Sequence, residues 1–331
     1  MNHRTLGDVG AVSEVGYGSW QIGSDWGDVS EAEAVAAVAA AREAGIDFFD
    51  TADVYGDGRS EQILGDVLDA DIAAGDVTVA TKAGRRLDPH VPEAYSETNL
   101  RQFVDRSREN LGMETLDLVQ LHCPPTDVYY RPETFDALDT LAAEDRIANY
   151  GVSVERVEEG LKALEYPGVQ SVQIIFNPFR QRPADRFLDA AAARDVGVVC
   201  RVPLASGLLT GALSRDTAFP EDDHRNYNRD GDAFDVGETF AGVPYEVGLE
   251  AADALAERAP ATDEGLSLPE LSLRWILDHD AVTTVIPGST TPEHIRSNAA
   301  VSDLAPLDEA DRDAVDDVYD ASVREHVHQR W

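Results

Sequence analysis

The chain has 331 residues, 43% of them hydrophobic, and its 63 acidic against 27 basic side chains give a formal net charge of -36. This length allows a large core, and so acidic a surface disfavours nucleic acid and anionic membranes as partners. The two cysteines, Cys123 and Cys200, are too few for a disulfide scaffold, and no run approaches the ~18 apolar residues that span a bilayer, so a soluble, cytoplasmic protein is expected.

Short apolar runs alternate with amphipathic, alanine-rich segments along the chain. Residues 4–6 and 11–15 predict a small N-terminal β-hairpin about Gly10, and residues 16–20 predict the end of a strand. Seven further strands are predicted at 46–50, 77–81, 116–121, 147–152, 172–175, 197–202 and 282–286. Helices are predicted at 31–43, 60–68, 96–111, 132–143, 155–164, 183–193, 244–258 and 292–299.

Eight strands, most of them separated by a helix, predict an α/β fold with a parallel sheet closed into a (β/α)8 TIM barrel, as one domain over residues 1–331. An open dinucleotide-binding sheet would carry G-x-G-x-x-G after its first strand, and Gly16-Tyr-Gly-Ser-Trp20 lacks the third glycine. Two segments are added to the barrel: a long loop at 204–243, after strand seven, and a C-terminal extra helix that begins at Asp308. A loop of that length is usually a lid or a mobile segment, and Trp331 is expected to be a mobile end.

Polar side chains stand at the C-terminal ends of three consecutive predicted strands: Asp50, Lys82 and His122. Tyr55 follows the first of them in a loop punctuated by glycines. Because neighbouring strand ends of a barrel converge on one spot, these four side chains are expected to meet. Each breaks the apolar pattern of its strand, which costs stability unless the groups pair.

Lys82 is one of only two lysines; the other is Lys162. An acid-rich, lysine-poor composition resembles that of proteins from halophiles, where at about 1 M salt the Debye length is only ~3 Å. A lysine kept inside a predicted barrel strand indicates a need for a compact charge that arginine does not meet. The structural alternative is an ion pair with Asp50 that only stabilises the barrel.

The pattern Gly45...Asp50-Thr-Ala-x-x-Tyr55-Gly, together with Lys82 and His122, resembles the catalytic tetrad of the aldo-keto reductase superfamily over nearly the whole chain. The resemblance implies an NAD(P)H-dependent oxidoreductase that reduces aldehydes or ketones to alcohols. Tyr55 would donate the proton, Lys82 would favour its ionised form, Asp50 would hold Lys82, and His122 would orient or polarise the carbonyl. Because a free phenol has a pKa of about 10, a nearby ammonium is expected to lower it toward the working range.

The same resemblance implies a nicotinamide site built from strand ends. Ser153 and Gln173 match positions that hold the carboxamide, although Val154 stands where many relatives have asparagine. Arg201 stands where tyrosine commonly stacks on the nicotinamide ring, and a guanidinium plane can also stack on an aromatic ring.

Residues 286–298 resemble the loop and helix that bind the adenosine end, and the helix N-terminus favours phosphate. Ser289 and Thr290 stand where members that prefer NADP place a cation, and His294 and Arg296 point to different faces. NADPH is therefore favoured from the family and NADH is possible. The residues expected to bind the cofactor are Gly18, Ser19, Trp20, Asp50, Ser153, Gln173, Arg201, Pro203, Leu204, Ser206, Leu209, Gly288, Ser289, Thr290, His294 and Asn298.

Aromatic residues in the loops after predicted strands one and four are expected to rim a substrate pocket for small carbonyl compounds. That pocket comprises Trp20, Trp26, Tyr55, His122, Tyr129 and Tyr130, and Asp25 and Arg225 could bias its entrance. No His/Cys/Asp cluster has the spacing of metal ligands, so no metal is predicted.

Two other functions fit the same barrel. A regulatory subunit of the potassium-channel β-subunit type would bind the cofactor with little turnover and would assemble as a tetramer with a protein partner. A Schiff-base aldolase would use Lys82 as its nucleophile, but the tyrosine motif and the cofactor loops disfavour it. The oligomeric state and the physiological carbonyl substrate stay open.

Overall fold

The computed structural model describes residues 1–23, 26–258 and 265–331. An N-terminal hairpin comes first, in which β1 (His3–Leu6) pairs antiparallel with β2 (Gly10–Ser13). Eight strands then form one parallel sheet in which chain neighbours pair side by side. These strands are β3 (Tyr17–Gly18), β4 (Phe48–Asp50), β5 (Thr78–Ala83), β6 (Leu116–His122), β7 (Ile147–Ser153), β8 (Val169–Ile175), β9 (Gly197–Arg201) and β10 (Thr284–Val285).

The sheet closes on itself beside β3 and β10. Val15 forms a parallel bridge with Val285. The Gly16 amide donates to the Val285 carbonyl at 2.8 Å, and the Val285 amide donates to the Glu14 carbonyl at 3.0 Å. The predicted (β/α)8 barrel is therefore confirmed, and a closed ring leaves no strand edge to protect.

The helices follow the strands largely where the sequence predicts them. The second is Glu31–Glu43, started by a capping box between Ser30 and Glu33. The helix at Leu268–Leu277 was not predicted, although Ser267 and Glu270 form another capping box. The helices are α1 (Trp20–Gly23), α2 (Glu31–Glu43), α3 (Arg59–Ala74), α4 (Glu97–Leu111), α5 (Pro132–Ala143), α6 (Val157–Ala163), α7 (Pro183–Ala192), α8 (His224–Tyr227), α9 (Tyr245–Arg258), α10 (Leu268–Leu277), α11 (Pro292–Ala300), α12 (Glu309–Val318) and α13 (Arg324–Val327).

The hairpin plugs the N-terminal end of the barrel. Leu6 and Val12 are fully buried and pack with Phe48, Ala80 and Leu118 from the barrel strands. Apolar side chains thus fill this end, whereas Asp50, Lys82 and His122 lie at the opposite, C-terminal end.

The long segment after β9 is built from short helical turns rather than from one irregular loop. Ala205–Thr210, Val236–Glu238 and Phe240–Gly242 are 3-10 turns, and α8 lies between the first two. Trp26 pairs with Asp223 in an antiparallel bridge, which joins this segment to the loop after β3.

The C-terminal extension agrees with the prediction at its start and departs from it at its end. Asp308 caps α12 by accepting a hydrogen bond from the Asp311 amide at 2.9 Å. Trp331 was expected to be a mobile end, and that prediction was wrong: the side chain is packed into the protein and the residue is 4% exposed.

Within the ranges described, no helix combines the length and apolar character needed to cross a membrane.

Candidate active site

Three adjacent strands carry the polar groups to one end of the barrel. Asp50 is the last residue of β4, Lys82 is the penultimate residue of β5, and His122 is the last residue of β6. In the register of the sheet, Asp50 pairs with Ala80 and Lys82 pairs with Gln120. The C-terminal ends of the strands therefore converge as the sequence predicts.

Lys82 connects two of the other three residues. Its Nζ donates to Asp50 Oδ2 at 2.5 Å, to the Thr51 carbonyl at 2.8 Å and to Tyr55 Oη at 3.3 Å. The residue is 1% exposed. Three acceptors match the three donors of an ammonium group, which compensates for the removal of its charge from water.

The second oxygen of Asp50 is held by two amides. Gln173 Nε2 donates to Asp50 Oδ1 at 2.6 Å, and Gln120 Nε2 lies 3.4 Å from the same atom. Ser153 Oγ donates in turn to Gln173 Oε1 at 3.2 Å. Gln120 was missed from the sequence, although it stands two residues before His122 and therefore on the same face of the strand.

Tyr55 is fixed between two rings. Its ring stacks on Trp20, with centroids 6.1 Å apart and planes at 19°, and it lies edge-on to His122 at 5.9 Å and 87°. A Cβ added at Gly23 would lie 2.6 Å from the Tyr55 Cβ, so a side chain there would push the two loops apart. The glycine allows the loop after β3 to approach the tyrosine closely.

Burial sets the protonation states in this group. It raises the pKa of Tyr55, although Lys82 opposes that shift. Lys82 lowers this pKa as expected, but the loss of hydration outweighs the ammonium, so the pKa does not reach the working range. Burial opposes the charge of Lys82, but Asp50 and Tyr55 together raise its pKa. Burial, with Arg85 and Lys82 nearby, holds the pKa of His122 well below its usual value, so the imidazole is neutral.

A cavity of about 550 Å³ opens at this end of the barrel. Asp50, Tyr55 and His122 of the tetrad line it, together with Trp20 and Trp26. Most residues predicted to bind cofactor also line it: Gly18, Trp20, Asp50, Ser153, Gln173, Arg201, Pro203, Leu204, Ser206, Gly288, Ser289, Thr290, His294 and Asn298.

Four residues predicted to bind cofactor or substrate lie outside the lining of this cavity, as does the predicted catalytic Lys82. Ser19 and Leu209 are fully buried, and Ser19 Oγ donates to the Asp50 carbonyl at 2.8 Å behind the site. Tyr129 is fully buried in the turn Thr126–Tyr130, where its carbonyl accepts from Tyr166 Oη at 2.9 Å. The 64% exposed ring of Tyr130 lies 5.2 Å from the Lys162 ammonium, so neither tyrosine rims the pocket as predicted. Asp25 lies outside the described residues.

A partly buried group of charges lies beside the cavity, and of its members only Arg201 was predicted from the sequence. Arg85 hydrogen-bonds Glu238 and lies 3.4 Å from Glu155. Arg201, the predicted stacking residue, donates to the Val154 carbonyl at 3.0 Å and pairs with Glu238 at 3.5 Å. Glu238 comes from the long segment after β9, and it lines the cavity.

The two glutamates of this group differ in charge. Burial opposes the charge on Glu238, but Arg85 and Arg201 hold the pKa of Glu238 well below its usual value, so the side chain is ionised. Burial and the charge on Glu238 raise the pKa of Glu155, which is therefore neutral near pH 7.

The same region brings together three potential metal-ligand atoms. One ligand atom from each of Cys123, Glu155 and Glu238 lies within 4.8 Å of the others. Burial raises the pKa of the Cys123 thiol to about 12, and Glu238 is already paired with two arginines. A protonated thiol is a poor metal ligand, and so is a carboxylate whose charge is already balanced by two arginines. The donor set therefore does not fit a cation.

Comparison with known proteins agrees with this geometry. The family model "Aldo/keto reductase family" matches residues 14–320. The uncharacterised oxidoreductase YqkF of Bacillus subtilis is 30% identical over 313 residues, 93% of this chain and 94% of the relative. A probable voltage-gated potassium channel subunit beta from rice is 28% identical over 319 residues, 93% of each chain.

A solved structure has the same fold over its full length. The holo form of an aldo-keto reductase from Bacillus halodurans superimposes with a TM-score of 0.77 at 26% identity, covering 99% of each chain. With a family model matched over nearly the whole sequence and a full-length relative at 30% identity, the chain belongs to the aldo/keto reductase family.

Proposed function

We propose that the protein is an NAD(P)H-dependent oxidoreductase that reduces aldehydes or ketones to alcohols. The observation that carries this proposal is the contact between Lys82 Nζ and Tyr55 Oη at 3.3 Å, with His122 beside the same ring. A phenol next to a fixed ammonium is a proton donor whose conjugate base is stabilised where it forms.

The cavity residues fit a nicotinamide cofactor. His122 Nδ1 and Arg201 Nε are buried atoms without a hydrogen-bond partner in the protein, as polar ligand sites commonly leave them. Gly18 and Gly288 both line the cavity and their backbones approach closely, since a Cβ at Gly288 would lie 2.9 Å from the Gly18 carbonyl oxygen. Ser153 and Gln173 would hold the carboxamide, and the loop with Ser289 would hold the adenosine end. NADPH is favoured and NADH is possible.

The cofactor supplies the hydride, and this chain's residues control the proton. Tyr55 is protonated, so it can donate to the carbonyl oxygen as negative charge develops there. Lys82 stabilises the phenolate that remains, and Asp50 keeps the ammonium in place. Neutral His122 orients the carbonyl without competing for the proton. General acid catalysis of this kind contributes roughly 10²–10⁴-fold to the rate.

The substrate side of the cavity favours small carbonyl compounds. Trp20 and Trp26 meet edge to face, with centroids 5.6 Å apart, and supply an apolar wall. Glu238 also lies in the lining, where Arg85 and Arg201 balance its charge. Small apolar or aromatic aldehydes and ketones suit these walls.

The test is an initial-rate screen of neutral aldehydes and ketones in high salt, with NADPH and NADH in parallel. The wild type should oxidise the cofactor when carbonyl is added, and Tyr55→Phe should lose about 10²-fold or more in kcat. Circular dichroism should show that the variant is folded. A folded Tyr55→Phe variant with wild-type reductase activity would contradict the assignment of Tyr55 as the proton donor.

A regulatory subunit of the potassium-channel type is the second candidate, since a protein of that name matches nearly the whole chain. It predicts a tetramer with slow turnover, whereas the enzyme predicts rapid cofactor oxidation in the same screen. Light scattering on the sample used for kinetics measures the oligomeric state and so distinguishes the enzyme from the regulatory subunit. The intact Asp50, Tyr55, Lys82 and His122 set favours the enzyme.

The net charge of -36 also supports a proposal about the ionic conditions in which the protein works. We infer a single-domain protein that works in the salt-rich cytoplasm of a halophile, without a nucleic-acid partner. Self-repulsion of the acidic surface is screened at about 1 M salt, so the melting temperature should rise with KCl concentration. A melting temperature that is the same in dilute buffer and in molar KCl would contradict this setting.

A further inference from the structure

We propose that Trp331 is a positioning residue for the active-site cavity. It holds the turn of residues 235–242, and this 235–242 turn presents Glu238 to the cavity. The role of the turn in substrate binding rests on the proposed function. The claim that Trp331 supports the turn does not depend on the proposed function, because it rests only on the contacts between them.

One carboxylate oxygen joins the indole to the turn. Trp331 Nε1 donates to Asp235 Oδ1 at 2.9 Å, and the Gly237 amide donates to the same oxygen at 2.6 Å. Trp331 is 4% exposed, so the bond lies where water competes little for it.

The ring also packs directly on the backbone of the turn. A Cβ at Gly237 would lie 2.8 Å from Trp331 Cε2, and a Cβ at Gly242 would lie 2.6 Å from Cζ3. Real Cβ contacts are essentially never that short, so two glycines are what allow the indole to approach the turn.

Arg180 contacts both the indole ring and the 235–242 turn. Its guanidinium lies 3.9 Å from the Trp331 ring centroid, and the residue is 2% exposed. Arg180 Nε donates to the Ala241 carbonyl at 3.1 Å, and Nη2 donates to the Gly237 carbonyl at 3.2 Å. The cation and the indole thus hold both ends of the turn together.

The turn needs such support because its backbone is strained. Phe240 and Ala241 have φ of 54° and 56°, in the left-handed region that residues with a side chain seldom adopt. Conformations of this kind persist only where the surroundings enforce them.

The opposite side of the turn faces the cavity. Glu238 pairs there with Arg85 and with Arg201, and it is 5% exposed. Ser206 Oγ donates to the Glu238 carbonyl at 3.3 Å and accepts from the Phe240 amide at 3.1 Å. Because Ser206, Arg201 and Glu238 all line the cavity, movement of the turn would displace one wall of it.

The test compares Trp331→Ala and Trp331→Phe with Trp275→Phe, a control at another tryptophan that is also 4% exposed and packs instead near Phe176 and His279. Amide hydrogen exchange in the 235–242 turn should accelerate in both Trp331 variants, by about 10-fold in Trp331→Ala. Exchange in the barrel strands should stay at the wild-type rate. Trp275→Phe should leave the turn unchanged.

The kinetic arm uses the same proteins. In Trp331→Ala the KM for the carbonyl should rise by about 10-fold, the scale of a lost interaction worth 1.4 kcal/mol. The kcat should change less than twofold, because the tetrad is untouched. If Trp331 acts through Glu238, then Trp331→Ala combined with Glu238→Gln should raise KM no further than Glu238→Gln alone.

The outcomes separate the two proposals. Trp331 variants with wild-type exchange in the turn, or with exchange accelerated equally throughout the barrel, would overturn the positioning role. A KM effect that adds fully to that of Glu238→Gln would also overturn it. A wild type that reduces no carbonyl would overturn the proposed function, and the exchange data would still decide the role of Trp331.

Discussion

Gln173 and Lys82 bind opposite oxygens of the Asp50 carboxylate, at 2.6 Å and 2.5 Å. Gln173 belongs to the predicted carboxamide site and Lys82 to the predicted proton-donating site. Asp50 therefore links the two halves of the active site through one rigid planar group, and a change in it should affect both stability and chemistry.

Asp50→Asn should destabilise the protein by about 3–5 kcal/mol, because it leaves the buried Lys82 ammonium without its counter-charge. Combining it with Lys82→Met removes the orphaned charge and should restore most of the free energy of unfolding. Activity should be lost in both variants. Urea unfolding in high salt measures the stability, and a double variant no more stable than the single one would contradict the ion-pair account.

Lys82→Met should alter the pH dependence of alcohol oxidation, the reverse reaction. In the proposed mechanism oxidation needs the Tyr55 phenolate, so its rate should rise as the pH passes the pKa of Tyr55. Lys82 lowers that pKa against the larger effect of burial. Its removal should move the alkaline rise to higher pH. A plot of kcat/KM against pH measures the shift, and an unshifted profile at reduced rate would leave Lys82 a purely structural role.

Glu155→Gln should flatten the dependence of stability on pH. Burial raises the pKa of Glu155 in the folded state, so above the ordinary carboxyl pKa the folded protein binds one more proton than the unfolded chain. Stability is then lost as the pH rises toward the raised pKa, by at most about 1.4 kcal/mol per unit. The melting temperature at pH 5 and pH 8 should differ less in Glu155→Gln than in wild type. An equal difference would show that Glu155 ionises normally.

Thr290→Arg should increase the preference for NADPH over NADH. Thr290 lines the cavity in the predicted adenosine loop and carries no charge. A guanidinium there would pair with the 2′-phosphate, and one charge-assisted hydrogen bond is worth ~1.5–3 kcal/mol, about 10-fold or more in the ratio of kcat/KM values. Thr290→Val is the uncharged control. A ratio unchanged in Thr290→Arg would place the 2′-phosphate elsewhere.

The barrel and the convergence of the tetrad could be predicted from local patterns. Strand periodicity fixes where Asp50, Lys82 and His122 stop, and parallel strands bring those ends together. Two-residue strands such as β3 and β10 were harder to delimit, because closure of the ring rather than local propensity holds them in place.

The contributions of the long segment could not be predicted. Glu238 reaches the cavity through a succession of turns without periodicity, and its charge is defined by Arg85 and Arg201. Nothing near Trp331 in the sequence indicates that it would pack on Gly237 and Gly242. The direction of the Tyr55 pKa depends on depth of burial, which no sequence pattern gives.

The bridge between Val15 and Val285 also bears on how a newly made chain folds. Its two partners are 270 residues apart in the sequence, so the ring cannot close during synthesis until the chain through Val285 has left the ribosome. Next to this bridge, the Gly18 amide donates to the Pro287 carbonyl at 3.3 Å, and both residues line the cavity. The nascent chain therefore completes this part of the cavity and its last strand pairing in the same late step.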